Sequence, residues 1–321
     1  MAIDNQKVAA VVVTFNRKNL LIECLDALLS QTYKLSSIII IDNASTDGTY
    51  EILKEKGYLD KSVIDYVRLK ENIGGAGGFH EGIRRGYEKG YDWLWIMDDD
   101  AEPKLDALEK LLNSEPARYK NTIGLTCLKV DKNGSIEKVH NGFYNFKKLK
   151  QESLSDDMYF KEFCKVQYSS FVGLLIKSEA IKYAGLPESG FFIWFDDVEY
   201  CIRLSKVGDI FLIRDSVIKH KDNIINEKRL SINDYWKGYY GTRNTIILNL
   251  KHGNKFFTIF YSTYKLFRML FGIFYFNDDH KFIRIIYLLK AYYDGIFYKI
   301  GKRIDPIKYK DELKRKGVLN D

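Results

Sequence analysis

Proline is scarce, 4 in 321 residues, so no proline-rich linker divides the chain. Cysteine is equally scarce. Cys24, Cys127, Cys164 and Cys201 include no Cys-x-x-Cys pair, which removes the usual zinc and dithiol motifs. Free thiols in a reducing cytoplasm are expected. The most apolar stretch, 256–276, is broken by Lys265 and Arg268 and makes a poor membrane span, which needs roughly 20 mainly apolar residues. The polar start, 1–7, runs straight into a strand-like segment, so no signal peptide is expected. No internal repeat is found. With 46% hydrophobic and 29% charged residues, the chain is neither disordered, collagen-like nor a coiled coil. Its length supports one large or two average domains with a sizeable core.

What is abundant is aromatic: 23 Tyr and 20 Phe. The net charge of +7 is unevenly placed. Residues 235–321 hold 17 basic against 7 acidic side chains, and residues 1–234 hold 33 against 36. This division predicts an acidic, metal-using front part and a basic back part that meets something anionic.

The front part alternates strand and helix. The run 8–14 (VAAVVVT) and the run 38–41 (IIII) read as strands buried on both faces, as in a parallel sheet. Leu20, Leu21, Cys24, Leu25, Leu28 and Leu29 recur at helical spacing between them. Ser45-Thr46-Asp47 can cap a helix to about Lys56. A third strand over 63–69, a glycine-rich helix start at 72–79 and a fourth strand over 93–97 follow. The β-α-β-α-β-α-β order calls for right-handed crossovers. Polar clusters then sit at the carboxyl ends of strands one, two and four, where open α/β sheets bind ligands. Farther on, a helix to Leu112, a hairpin about Asn133-Gly134, a charged loop over 150–162, a strand over 167–176 and an aromatic strand over 191–195 are expected. A helix over 200–207, short strands over 209–213 and 217–219, and helical structure from about 232 to 302 complete the reading.

Asp98-Asp99-Asp100 ends the fourth strand. Three adjacent carboxylates raise one another's proton affinity unless a cation is near. Following an apolar strand, alternate residues project the same way, so Asp98 and Asp100 can converge on one divalent ion. A solvated acidic loop would read alike, but this run is pinned to a buried strand. Asn72-Ile73-Gly74-Gly75-Ala76-Gly77-Gly78-Phe79 lets backbone N–H groups approach a phosphate or sugar at a helix N-terminus. It holds neither G-x-G-x-x-G nor G-K-[ST]. Trp194-Phe195-Asp196-Asp197-Val198-Glu199 sets carboxylates among aromatics, which suits a general base. A helix N-cap is the competing reading, and Glu199 can pair with Arg203 four residues on. His220 follows a short strand and is a chemically reasonable third ligand beside two carboxylates. His80, His140, His252 and His280 carry no such context.

Val11-Val12-Val13-Thr14-Phe15-Asn16-Arg17, Ile41-Asp42-Asn43-Ala44-Ser45-Thr46-Asp47-Gly48-Thr49 and the aspartates after strand four, in that order, resemble family 2 glycosyltransferases with the GT-A fold. The resemblance covers about residues 8–220. The segments 71–79 and 194–200 look most like bacterial galactofuranosyltransferases, with rhamnosyltransferases as near neighbours. It implies an α/β, Rossmann-like, mostly parallel sheet flanked by helices. A GT-A catalytic domain over 1–230 would precede a basic, aromatic-rich helical region over 231–321.

For the site, the resemblance implies Thr14, Asn16, Arg17 and Asp42 at the nucleotide, and Asn72, Gly74, Gly75, Ala76, Gly77 and Asp99 near the diphosphate or donor sugar. Asp98, Asp100 and His220 would hold Mn2+ or Mg2+. Asp197 would be the base and Asp196 would bind hydroxyls, with Trp194 and Glu199 at the acceptor. The donor would be UDP-galactofuranose, or dTDP-rhamnose as the alternative. The acceptor would be a polysaccharide or lipid-linked glycan, and the outcome inversion.

Residues 256–298 carry 16 aromatics among lysines and arginines. An amphipathic, basic helix pair lying on an anionic membrane surface is expected, at the inner face of the cell membrane, or a dimer interface, and the two can coexist. No nucleic-acid motif accompanies the basic tail. A sugar-1-phosphate nucleotidyltransferase would carry a glycine-rich basic loop where this chain has Phe15-Asn16-Arg17. A non-catalytic nucleotide-sugar-binding protein would have no need of Asp197.

Overall fold

The computed structural model describes residues 6–221, 230–276 and 279–318; the polar start, 1–5, lies outside them. The chain forms two compact units. One comprises Met1–Tyr144, Gln151–Ser189 and Asp197–Asn223; the other comprises Asn145–Lys150, Gly190–Asp196 and Ile224–Asp321.

In the first unit, β1 (Val8–Thr14), α1 (Lys18–Leu29), β2 (Ser37–Asp42), α2 (Thr49–Glu55), β3 (Ile64–Arg68), α3 (Gly74–Glu88) and β4 (Trp93–Asp98) alternate as expected. All positions of β1 and β2 are buried, which is why both runs are uninterrupted by polar residues. Then come β5 (Ala101–Pro103), α4 (Ala107–Asn113), β6 (Thr122–Val130), β7 (Asn141–Asn145), β8 (Lys150–Ser153), β9 (Phe163–Val166), β10 (Tyr168–Ser169), β11 (Val172–Lys177), α5 (Ser178–Ala184), α6 (Asp196–Leu204) and β12 (Asp209–His220). The main sheet runs β3-β2-β1-β4-β11-β6-β12-β5, with β9 on β12. Strands β1 to β4 pair in parallel, and β11 enters antiparallel between β4 and β6.

The registers build the site. Thr14 stands beside Asp42 and Val13 beside Asp98, so three strand ends lie on one edge. His220 pairs with Ala101, next to Asp100, and Lys219 pairs with Val130.

Helix α3 lies close on the sheet through its glycines. A Cβ at Gly78 would fall 2.6 Å from Val13 Cγ1, one at Gly82 2.4 Å from Val11 Cγ1, and one at Gly86 2.5 Å from Leu94 Cδ2. Much of the glycine density therefore answers to packing.

Several local expectations change. Asn133-Gly134 closes a turn with a single bridge, Val130 to Ile136, and β7 pairs with β10 instead of β6. The charged stretch contributes β8 and a 3-10 turn over Asp156–Phe160. The two short strands are one strand, β12, with a register shift between Ile213 and Val217. The aromatic stretch 191–195 is not a strand. Phe192, Trp194 and Phe195 take left-handed φ of 66°, 66° and 68°, which breaks any extended run.

In the second unit, α7 (Tyr235–His252), α8 (Lys255–Tyr275), α9 (Lys281–Ile296) and α10 (Pro306–Arg315) supply the expected helices. Phe192, Trp236, Tyr239, Tyr240, Ala291 and Ile304 belong to one core cluster, and Leu266, Ile273 and Leu288 form another. Among the described residues no helix is long and apolar enough to cross a membrane.

Candidate active site

Strand β4 ends at Asp98, and Asp99 and Asp100 lie in the turn to β5. The premise that extended alternation carries Asp98 and Asp100 in one direction therefore does not hold here. The three aspartates part company. Asp98 is half-buried at the strand end. Asp99 is buried; its Oδ2 accepts from Thr14 Oγ1 at 2.7 Å and its Oδ1 faces Arg17 Nη1 at 3.5 Å. Burial pushes its carboxyl up to about 7, against the pull of Arg17. Asp100 is buried too. Its Oδ2 accepts from Arg17 Nη1 at 2.7 Å, while Oδ1 has no hydrogen-bond partner among the described residues.

That Oδ1 lies 3.6 Å from His220 Nε2. Two ligand atoms each about 2.1 Å from one ion lie about 3 to 4 Å apart, so the gap fits a shared divalent cation. The other ring nitrogen of His220, Nδ1, is 2.9 Å from Glu137 Oε2, and His140 Nε2 is 3.1 Å from the same oxygen. Glu137, His140 and His220 thus form a tight group of potential ligands. Burial lowers the proton affinity of His140. Glu137 and His140 follow the turn after β6, and only the pairing of β6 with β12 brings them to His220.

The nucleotide-side residues hold one another. Asn16, at left-handed φ of 54°, accepts from Thr46 N at 2.7 Å through its side chain, and its own N–H donates to Ser45 Oγ at 2.9 Å. Asp42 is buried; Ser45 N and Tyr66 OH donate to its two oxygens, at 2.8 and 2.5 Å. Asn72 Oδ1 accepts from Gly74 N, at the first residue of α3, at 2.8 Å. Gly74 has φ of 80°. A Cβ on Gly75 would meet nothing within 4 Å, whereas one on Gly77 would meet Ile73 Cγ1 at 2.6 Å; Ala76 is fully buried. Within this stretch Gly75 faces open space and Gly77 packs.

At the start of α6, Asp197 accepts from the Val198 N–H at 2.7 Å. Burial pushes its carboxyl up to about 6, although the Lys129 charge opposes this. Lys129 is fully buried and donates to Thr126 Oγ1 (2.6 Å), Ser169 Oγ (2.7 Å) and Asn141 Oδ1 (3.1 Å). Burial pushes its ammonium down to about 8. Glu199 is fully buried and paired with Arg203 at 2.9 Å, and Arg203 also donates to Leu186 O at 2.9 Å. The Glu199 carboxylate thus faces Arg203 and has no exposed surface.

Within the second unit Asp196 is buried and Trp194 is 36% exposed. The left-handed turn before Asp196 is held by two buried side chains. Asn244 Nδ2 donates to the carbonyls of Phe191, Ile193 and Trp194 at 3.0, 2.9 and 2.8 Å, and Arg243 donates to those of Gly190 and Phe191. Sustained left-handed geometry at aromatic residues needs such surroundings.

The family described as Glycosyl transferase family 2 matches residues 9–179. The chain belongs to glycosyl transferase family 2. Galactofuranosyltransferase GlfT1 of Mycolicibacterium smegmatis is 28% identical to this family member over 204 residues, 63% of the chain and 66% of that protein. The dTDP-rhamnosyl transferase RfbF of Shigella flexneri is 23% identical over 260 residues, 77% of the chain and 81% of that protein. S. aureus TarS 1-349 in complex with UDP-GlcNAc has a TM-score of 0.58 at 13% identity, covering 91% of the chain and 82% of TarS 1-349. GalNAc-T7 with UDP, GalNAc and Mn2+ has a TM-score of 0.57 at 17% identity, covering 76% and 47%. The chain spans just under two thirds of the galactofuranosyltransferase's length. These likenesses fix the fold as GT-A.

Sequence reasoning missed Glu137, His140 and Lys129. Glu137 and His140 stand three apart in a loop, and no local pattern separates them from ordinary surface residues.

Proposed function

We propose that this chain is a metal-dependent inverting galactofuranosyltransferase. It moves galactofuranose from UDP-galactofuranose to a lipid-linked or polysaccharide acceptor in bacterial surface-glycan synthesis. The reading rests most on the similarity to galactofuranosyltransferases, which runs through 63% of the chain. The buried Asp100 oxygen that faces His220, without a hydrogen-bond partner among the described residues, supports its metal dependence.

In this reading Thr14, Asn16, Arg17 and Asp42 shape the nucleotide pocket. Asn72 and Gly75 line the side of the diphosphate and donor sugar, with the buried Gly74, Ala76, Gly77 and Asp99 packed behind them. Asp100 and His220 would hold Mn2+ or Mg2+, with Asp98 at the end of β4 as the remaining candidate ligand, and the ion would supply positive charge against the diphosphate leaving group. Asp197 accepts the acceptor hydroxyl proton as the new glycosidic C–O bond forms and the C–O bond to the diphosphate breaks. A carboxylate whose proton affinity is raised by burial suits that task. Asp196 and Trp194 bind the acceptor, and Glu199, which the resemblance implies at the acceptor, is engaged with Arg203. A single displacement inverts the anomeric centre.

The exposed side of α8 carries Phe256, Phe260, Tyr264, Phe267, Phe271 and Phe274, recurring every three or four residues, and the helix holds no acidic residue. Such a face suits the anionic surface of a bilayer. We place the enzyme in the cytoplasm at the inner face of the membrane, with a second copy of the chain as the competing occupant of that face.

Transfer of label from UDP-galactofuranose to a polyprenol-linked glycan, with NMR of the product's anomeric centre, tests the reading. An inverted galactofuranoside supports it, and a retained centre or no dependence on Asp197 overturns it. Transfer from dTDP-rhamnose instead would favour the second reading. The rhamnosyl transferase relative, whose match covers 77% of the chain, motivates that alternative.

A further inference from the structure

Glu137 is buried, 6% exposed, and its Oε2 meets two imidazoles at once: His220 Nδ1 at 2.9 Å and His140 Nε2 at 3.1 Å. The rings of the two histidines stand edge to face with centroids 5.0 Å apart. The far nitrogen of His140, Nδ1, lies 2.8 Å from Ser170 Oγ. The backbone N–H of Glu137 donates to Lys129 O at 3.0 Å, which ties the loop to β6. The far nitrogen of His220, Nε2, is the atom directed at Asp100 Oδ1, 3.6 Å away, an oxygen with no hydrogen-bond partner among the described residues.

The chemistry of this chain of contacts runs one way. A carboxylate oxygen only accepts, so each imidazole nitrogen facing Glu137 carries a proton. With Nδ1 protonated, neutral His220 presents a bare lone pair at Nε2, towards Asp100. His140, donating to Glu137 from Nε2, takes the Ser170 hydroxyl at Nδ1. A carboxylate behind a histidine in this manner fixes the ring's tautomer and direction and makes the other nitrogen a better ligand.

We propose that Glu137 is a positioning residue for a divalent cation at Asp100 and His220, and that His140 and Ser170 hold Glu137 in place for it. The inference rests on the metal-dependent reading above. Glu137 does not touch the ion or the substrate; it acts through His220.

The test is Mn2+ binding to the purified full-length chain, without donor or acceptor. Free Mn2+ is followed by its EPR signal, and pulsed EPR reads the 14N coupling of bound imidazole. The wild type is expected to bind one Mn2+ per chain with a 14N signature. Glu137→Gln is expected to weaken binding about 10- to 100-fold and to reduce the 14N modulation. His140→Gln is expected to shift both in the same direction by less, and provides the second readout if Glu137→Gln fails to fold. Glu137→Asp is expected to recover part of the affinity. Unchanged affinity and 14N coupling in folded Glu137→Gln, or a second ion bound by Glu137 and His140, would overturn the inference while leaving the metal-dependent enzyme standing. A wild type that binds no Mn2+ would sink both.

Discussion

Arg17 Nη1 donates to Asp100 Oδ2 across 2.7 Å, while Asp100 Oδ1 stays buried without a hydrogen-bond partner among the described residues. One oxygen of this carboxylate is served by the chain, and in the proposed function the other takes the cation. Neutralising it relieves a buried charge at the expense of a pair whose arginine is 41% exposed. Asp100→Asn is therefore expected to keep the metal-free melting temperature within a few degrees of wild type. Millimolar Mn2+ should raise the melting temperature of the wild type and not of the variant, because only the native site binds it. Transfer should fall by at least about 100-fold, since a catalytic metal is worth several kcal/mol of barrier. Thermal scanning with and without Mn2+ checks both halves.

The glycine-rich stretch separates packing from chemistry. Gly82→Ala drives a methyl to 2.4 Å from Val11 Cγ1 and is expected to destabilise by about 1 to 3 kcal/mol. Gly75→Ala meets nothing within 4 Å and gains helix propensity, so its stability should match or exceed wild type by up to about 1 kcal/mol. If Gly75 lies against the donor, its added methyl raises KM for the nucleotide sugar in spite of that stability. Denaturant titrations and steady-state kinetics on the two variants distinguish the roles.

Asp197 supplies a pH signature. Burial pushes its carboxyl up to about 6, and a base works deprotonated, so transfer should decline as pH falls through 6 and level off above it. Asp197→Asn should lose about 100- to 10,000-fold and with it this limb of the profile. Stability has the opposite sign. The folded state holds this proton up to a higher pH than the unfolded chain, so ionisation of Asp197 works against folding between about pH 4 and 6. The Asn variant should therefore gain melting temperature relative to wild type at pH 7.5 more than at pH 4.5. A flat rate profile across pH 5 to 7 would contradict the assignment.

The aromatic face of α8 predicts vesicle binding. Phe260 and Phe267 are 74% and 66% exposed, so replacing both with Glu removes little packing. The double variant should keep its melting temperature but lose flotation with phosphatidylglycerol vesicles. Unchanged flotation, or a wild-type dimer that the substitutions dissociate, would assign this face elsewhere.

Where the fold was legible in the sequence, one physical signal acted without competition. The apolar runs of β1 and β2 can only be strands covered on both faces, and Thr14, Asp42 and Asp98 follow at their ends because parallel pairing aligns those ends. The stretch 191–195 misled because aromatic residues favour strands, while tertiary contacts from Arg243 and Asn244 hold it in left-handed turns. The site was legible for His220 only through the family pattern. Glu137 gave no signal at all: it is 83 positions from His220, and the β6–β12 pairing that joins them is a long-range fact. Glycine density at 74–78 pointed to a ligand, and packing accounts for part of it.

The central claim, a metal-dependent galactofuranosyltransferase, is tested most directly by nucleotide release. The purified chain is given UDP-galactofuranose, UDP-galactopyranose, UDP-glucose or dTDP-rhamnose with a crude lipid-linked glycan acceptor, in Mn2+ or in EDTA. UDP is expected to be released from UDP-galactofuranose alone, and EDTA is expected to abolish that release. Release only from dTDP-rhamnose, or release from UDP-galactofuranose that EDTA leaves untouched, would contradict that claim.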